Sequence, residues 1–267
     1  ESLPQDISLQ VTFEMFENVE RRGTPTRCVD YTISFAGPGQ YFASEAAAAA
    51  LLGASINYPL RGAVTWKSIV GTNVAADGLS NLCSPGVMGG ALIVVGEDYG
   101  EGASIIQERT LAMAMKSTIW LFDPRPDLQN IVDMVEQSFE LSEASNTPVM
   151  MQLRIRSCHV QGEFIAKNNR APKVGTKNRF TDPAVFDYDR LAHPPVTFSH
   201  EKLKVSARLP AAQRYIVEHG LNELIEGEQK SVGIIVQGGI YNILMRRLQV
   251  MGLADAFGNS KIPVLVL

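Results

Sequence analysis

The chain has 267 residues, 45% hydrophobic and 19% charged, enough to bury a core and to form one large domain or two smaller ones. A formal net charge of −4 excludes a global electrostatic case for nucleic acid or a membrane surface. Cys28, Cys83 and Cys158 stand too far apart for a CxxC pair. That excludes a self-contained four-cysteine iron–sulfur centre and argues for a reducing compartment, hence the cytoplasm. No stretch is apolar for long enough to span a bilayer, and no secretory signal is visible. The chain starts at Glu1 without an initiator methionine and stops on the apolar Ile262–Leu267, so a piece of a longer polypeptide is expected.

From the start, Leu9 to Phe16 suits a strand or a short helix, Arg21–Pro25 a turn, and Tyr31 to Phe35 a short strand before the turn Gly37-Pro38-Gly39. Ser44-Glu45 then opens an alanine helix through Leu52: Ser44 can cap it, and Glu45 complements its dipole. A helix so thin lies close to another backbone, in a core or a subunit contact. Arg61 to Trp66 reads as the next strand. Gly71 and Asn73 precede a helix at Val74–Leu79, whose free amides suit a phosphate or carboxylate.

Gly89 to Val95 is continuously apolar, as in a strand covered on both faces, and Gly96–Gly102 follows as a polar, glycine-broken loop. In an open parallel sheet such a loop, beyond a strand's carboxyl end, is a place for chemistry. Ser104 to Met115 reads as a helix with Ile105, Ile106, Leu111, Ala112 and Met115 inward. A strand at Ile119–Phe122, an amphipathic helix from Leu128 to Ser145 and a strand at Pro148–Ile155 complete the first unit. Strand–helix alternation predicts an α/β fold, a parallel sheet with helices on both faces.

From Gln161 to Pro210 the basic residues Lys167, Arg170, Lys173, Lys177 and Arg179 and five prolines suggest a solvated connecting arm. A helix at Ala211–Glu226 precedes a strand at Val232–Gln237, the turn Gly238-Gly239, a helix to Met251 and a strand at 262–267. These open a second α/β unit. The expected division is 1–165, 166–230 and 231–267. Nucleotide binding at Gly238-Gly239 is a weak further option, since paired glycines after strands are common.

VTWKSIVGTNVAADGLSNL, GVMGGALIVVGEDYGEGASIIQER, FELSEASNTPVMMQLRIRSCHVQGE and VGIIVQGGIYNILMRRLQVMGL, in that order, resemble the α subunit of indolepyruvate:ferredoxin oxidoreductases. The resemblance covers roughly 41–165 and 231–267. It implies a thiamine-diphosphate-binding, pyrimidine-type domain followed by the start of a transketolase-C-like domain. It also implies a 2-oxoacid substrate, coenzyme A, ferredoxin or another electron acceptor, and an oligomer. Iron–sulfur clusters would lie elsewhere in the complex. Mg²⁺ and the diphosphate would be held by residues outside this segment, so no metal ligand is assigned.

The family's glutamate, which hydrogen-bonds the aminopyrimidine ring and promotes loss of the thiazolium proton, corresponds to Glu45. A carboxylate on a buried alanine helix would need such a partner; the plainer alternative is a dipole-complementing surface residue. Thr65, Lys67, Ser68, Gly71 and Asn73 correspond to residues lining the cofactor. Asp98, Ser104, Gln107 and Arg109 correspond to residues flanking the substrate, with Arg109 able to clasp a carboxylate in a forked pair. Its alternative is an ion pair with Glu108 or Glu101. His159 is either structural or at a domain contact. The relatives' glycine–threonine–proline loop has its only counterpart in Gly23-Thr24-Pro25, which does not follow a clear strand. Two other functions stay open: a non-redox thiamine-diphosphate decarboxylase, and a non-catalytic module that retains the fold.

Overall fold

The computed structural model describes residues 9–21, 24–35, 44–57, 60–97, 109–167 and 183–267, the first two by backbone alone. Leu9–Arg21 (β1) and Thr24–Phe35 (β2) pair as an antiparallel hairpin, Leu9 opposite Phe35 and Asn18 opposite Thr26. The alternation of apolar and polar residues from Leu9 to Glu14 explains strand over helix there. Pro25, expected in a turn, lies in the second strand; Gly37-Pro38-Gly39 lies outside the described residues.

Glu45–Leu52 (α1) begins where Ser44 Oγ accepts from Ala46 N at 3.2 Å. Gly62–Lys67 (β3), Ser68–Cys83 (α2) and Ala91–Glu97 (β4) follow. Next come Thr110–Ser117 (α3), Trp120–Phe122 (β5), Leu128–Ser145 (α4), Val149–Arg154 (β6) and the single turn Ile155–Cys158 (α5). The four strands form a wholly parallel sheet in the order β3-β4-β6-β5. Leu92 and Val94 of β4 pack with Ile131, Val135 and Phe139 of α4 on one face. Ile93 and Val95 pack with α1, α2 and α3 on the other. Coverage of both faces is why β4 lacks alternation. Gly89 and Gly90 precede the strand: a Cβ at Gly89 would lie 2.6 Å from the Leu60 carbonyl carbon, and one at Gly90 2.9 Å from Phe139 O.

Three helix expectations are corrected. α2 starts at Ser68, so Gly71 and Asn73 lie inside it and not before its free end; a Cβ at Gly71 would meet the Trp66 ring at 2.6 Å. In α3 the buried residues are Thr110, Ala114 and Ser117, at helical spacing, so Leu111, Ala112 and Met115 fall on the exposed side; Ile105 and Ile106 lie outside the described residues. Its C-cap, Thr118, is left-handed at φ 57°. The third correction concerns the arm. Its far end is helical, Val196–Leu203 (α6) running through a π-turn at Lys204–Arg208 into Leu209–Glu218 (α7). α7 stops before Gly220 at φ 60°, and Glu223–Ile225 (β7) is a strand, where sequence predicted helix to Glu226.

β7 joins the second sheet with Ile234–Val236 (β8) and, after the helix Tyr241–Val250 (α8), Val264–Val266 (β9). Its order is β7-β9-β8, with β8 and β9 parallel and β7 antiparallel. Met245 and Leu248 of α8 pack on Val236, Val264 and Val266. No helix among the described residues is long and apolar enough to cross a membrane.

Candidate functional site

The connection from β4 runs through α3 on one face of the parallel sheet, and that from β5 through α4 on the other. The carboxyl ends of β4, β6 and β5 therefore border a topological switch point, where open α/β sheets hold ligands. Glu97 ends β4, Arg154 ends β6 opposite it in the register, and Asp123 follows β5. Arg154 donates through Nη2 to Asp123 Oδ2 and to Gln237 Oε1, both at 2.8 Å, and its Nη1 lies 3.9 Å from Glu97 Oε2. The Glu97 side chain is 1% exposed; its Oε1 accepts from Thr110 N at 2.6 Å, while Oε2 has no hydrogen bond among the described residues.

Gln237 brings the second unit to this edge. Gly238 and Gly239 press onto Asp123 and Arg154: a Cβ at Gly239 would stand 2.6 Å from Arg154 Cδ, and one at Gly238 2.9 Å from Arg125 N. The paired glycines are thus explained by close docking, with no need of a phosphate. Arg125 completes the joint, donating to Glu223 Oε1 at 2.8 Å with its guanidinium over the Tyr241 ring at 5.2 Å. Burial pulls the Arg125 pKa down, but Glu223, with Tyr241 and Asp127 adding to it, more than offsets that, and the net shift is upward.

The sequence-predicted residues fall around this edge unevenly. Ser55 O accepts from Gly89 N, and a Cβ at Gly62 would meet Leu52 at 2.9 Å, so α1 ends at the sheet's amino end. Glu45, in the first turn of α1, is half-buried, and the carbonyl of its neighbour Ala46 lies 3.4 Å from where a Cβ at Gly78 of α2 would stand. The expected closeness of this helix to another backbone is realised against α2, where a Cβ at Gly78 would lie 3.0 Å from Ala49 Cβ. Thr65 and Lys67 are exposed on β3, Ser68 is buried at the head of α2, Gly71 backs onto Trp66, and Asn73 is exposed. Arg109 is exposed and caps α3 with extended backbone, its carbonyl accepting from Ala112 N at 3.2 Å. Asp98, Ser104 and Gln107 lie outside the described residues. His159 follows α5 as its C-cap and is exposed.

Sequence reasoning passed over Arg154, Asp123 and Gln237 and treated Glu97 only as part of a loop. An acidic residue closing one buried strand and an arginine closing its neighbour was the available signal. The buried Ser68 hydroxyl has no hydrogen-bond partner among the described residues and Glu45 is a half-buried carboxylate; each is a group of the kind an aminopyrimidine ring hydrogen-bonds. Among the described residues no three His, Cys, Asp or Glu side chains gather as a metal site would require.

Fold and site together define an α/β protein with a buried charge cluster at the switch point of a parallel sheet. No family model matches the chain. It is similar to the indolepyruvate oxidoreductase subunit IorA of three archaea. Identity to the Methanothermobacter marburgensis protein is 26% over 190 residues, 71% of this chain, and to that of Methanothermobacter thermautotrophicus 25% over 192 residues, again 71%. With the Pyrococcus horikoshii protein it is 32% over 103 residues, 39% of this chain. The matches span 30% of the Methanothermobacter proteins and 16% of the Pyrococcus protein. Among solved structures, 2-oxoglutarate:ferredoxin oxidoreductase from Magnetococcus marinus, with 2-oxoglutarate, coenzyme A and succinyl-CoA bound, superposes with a TM-score of 0.47 at 17% identity. That superposition covers 85% of this chain and 45% of the other.

Proposed function

We propose that this chain is the pyrimidine-binding part of a thiamine-diphosphate-dependent 2-oxoacid:ferredoxin oxidoreductase acting on indolepyruvate or a related arylpyruvate. The observation that carries this reading is the similarity to IorA across 71% of the chain. The whole enzyme would decarboxylate the 2-oxoacid oxidatively to an acyl-coenzyme A in the cytoplasm, as an oligomer. Its electrons would pass through iron–sulfur clusters elsewhere in the complex to ferredoxin. No nucleic acid or membrane partner is part of the reading.

Thiamine diphosphate, when bound with Mg²⁺, would supply a carbon nucleophile for the 2-oxo group and a thiazolium ring able to take up the electron pair left behind when CO₂ departs. Glu45 holds a proton at the aminopyrimidine nitrogen, and Ser68 offers a buried hydroxyl at the head of α2. Thr65, Lys67, Gly71 and Asn73 frame the same side of the pocket, with Gly71 acting through Trp66. Arg109 orients the substrate carboxylate, and Asp98, Ser104 and Gln107 flank the substrate. The test is Glu45→Gln in the complete enzyme. We expect arylpyruvate-dependent ferredoxin reduction to fall about 100-fold or more, while thiamine diphosphate still binds in calorimetry. Unchanged turnover would overturn the assignment of Glu45.

A further inference from the structure

The cofactor reading leaves Glu97 without a task, yet its side chain is the most enclosed charge at the sheet edge, 1% exposed. One carboxylate oxygen takes the amide of Thr110, the first residue of α3, at 2.6 Å. The other faces Arg154 Nη1 at 3.9 Å, and that guanidinium is itself fixed by Asp123 and Gln237. A carboxylate at a helix start answers its dipole and one of its unpaired amides. Here that carboxylate comes from the end of the central strand and fastens the helix to the sheet. The residue immediately before the fastened amide is Arg109.

We propose that Glu97 is a positioning residue for Arg109. It pins the first turn of α3 to the carboxyl end of β4 and so sets where the Arg109 side chain leaves the backbone at the substrate end of the pocket. Arg154 Nη1, 3.9 Å from the other carboxylate oxygen, backs the Glu97 side chain from the neighbouring strand. This inference rests on the reading of Arg109 as the carboxylate clasp.

The experiment uses the complete enzyme, comparing wild type with Glu97→Ala, Glu97→Gln, Arg109→Ala and Glu97→Ala/Arg109→Ala. Glu97→Ala is expected to raise KM for the 2-oxoacid roughly tenfold to hundredfold. Its kcat should change far less, and its affinity for thiamine diphosphate should match wild type. Glu97→Gln keeps an oxygen for Thr110 N and should restore much of the loss. The double variant should be no worse than Arg109→Ala, because Glu97 acts through that side chain. Additive losses, or an unchanged KM, would overturn the proposal. Hydrogen exchange, read without cofactor, follows Glu97's hold on α3. Faster exchange at Thr110–Met113 in Glu97→Ala, or in Glu97→Gln to a lesser degree, supports the proposal, and unchanged exchange overturns it. A wild-type enzyme that fails to bind thiamine diphosphate would sink the cofactor reading, leaving the exchange result to decide whether Glu97 anchors this helix.

Discussion

Arg208 should be among the most sensitive positions for the stability of the first sheet, although it lies in the arm. Its guanidinium is 7% exposed and reaches back to the end of α2, with Nη1 donating to Cys83 O and Ser84 O at 3.0 Å and Nη2 to Pro85 O at 2.6 Å. These are carbonyls that a helix terminus leaves without internal partners. Gly86 lies directly beneath, where a Cβ would sit 2.9 Å from the guanidinium carbon. Burial lowers the Arg208 pKa, with Arg190 adding to the effect, so part of the gain offsets desolvation. Three charge-assisted bonds at about 1.5–3 kcal/mol each, less that cost and less rehydration of the carbonyls, leave about 3 kcal/mol for Arg208→Ala. Arg208→Lys keeps the charge but not the planar fork, so it should recover no more than about half. Both tryptophans, Trp66 in β3 and Trp120 in β5, belong to the first sheet, so their fluorescence during urea titration reads this effect. A midpoint for Arg208→Ala indistinguishable from wild type, or full recovery with lysine, would refute the reasoning.

Three further outcomes are expected. Gly239→Ala forces a methyl against Arg154 and Asp123 and should cost about 1–3 kcal/mol, read as faster proteolysis of the second unit with little change in tryptophan fluorescence. Thr118→Gly relieves a β-branched residue at φ 57° and should raise the urea midpoint, by up to about 1 kcal/mol after the added freedom of the unfolded chain is counted. Burial pushes the Cys83 thiol up to about 12 from 9.0, so in the native state iodoacetamide at mildly alkaline pH should label Cys158 ahead of Cys83, read by peptide mass mapping. Because the unfolded thiol ionises first, Cys83 contributes stability that is complete below about pH 9 and lost as pH rises toward 12. Cys83→Ala should flatten that alkaline decline.

The parallel sheet was legible because its signals are local. The apolar run of β4 and the helical spacing of Ile131, Val135, Phe139 and Leu141 in α4 depend on burial by a whole layer, and all of these side chains are buried. Helix limits were less legible where a distant packing demand decides them. Gly71 reads as a breaker, yet it sits inside α2 because the Trp66 ring needs its space. Residues 223–225 read as the end of a helix, yet β9 recruits them as a strand. Glu45 and Arg109 enter the reading of the site through the resemblance alone. Glu97, Asp123, Arg154 and Gln237 are joined only by folding, Arg154 and Gln237 standing 83 positions apart.

The joint between the two sheets is held by ionic and amide groups, through Arg154, Asp123, Gln237, Arg125 and Glu223, with Arg125 also lying over the Tyr241 ring. Each sheet meanwhile keeps its own greasy interior. Ionic strength then weakens the more exposed Arg125–Glu223 part of the seam while leaving the interiors intact. Concentrated sodium chloride should therefore split thermal melting into two separate steps before it lowers the melting temperature of either half.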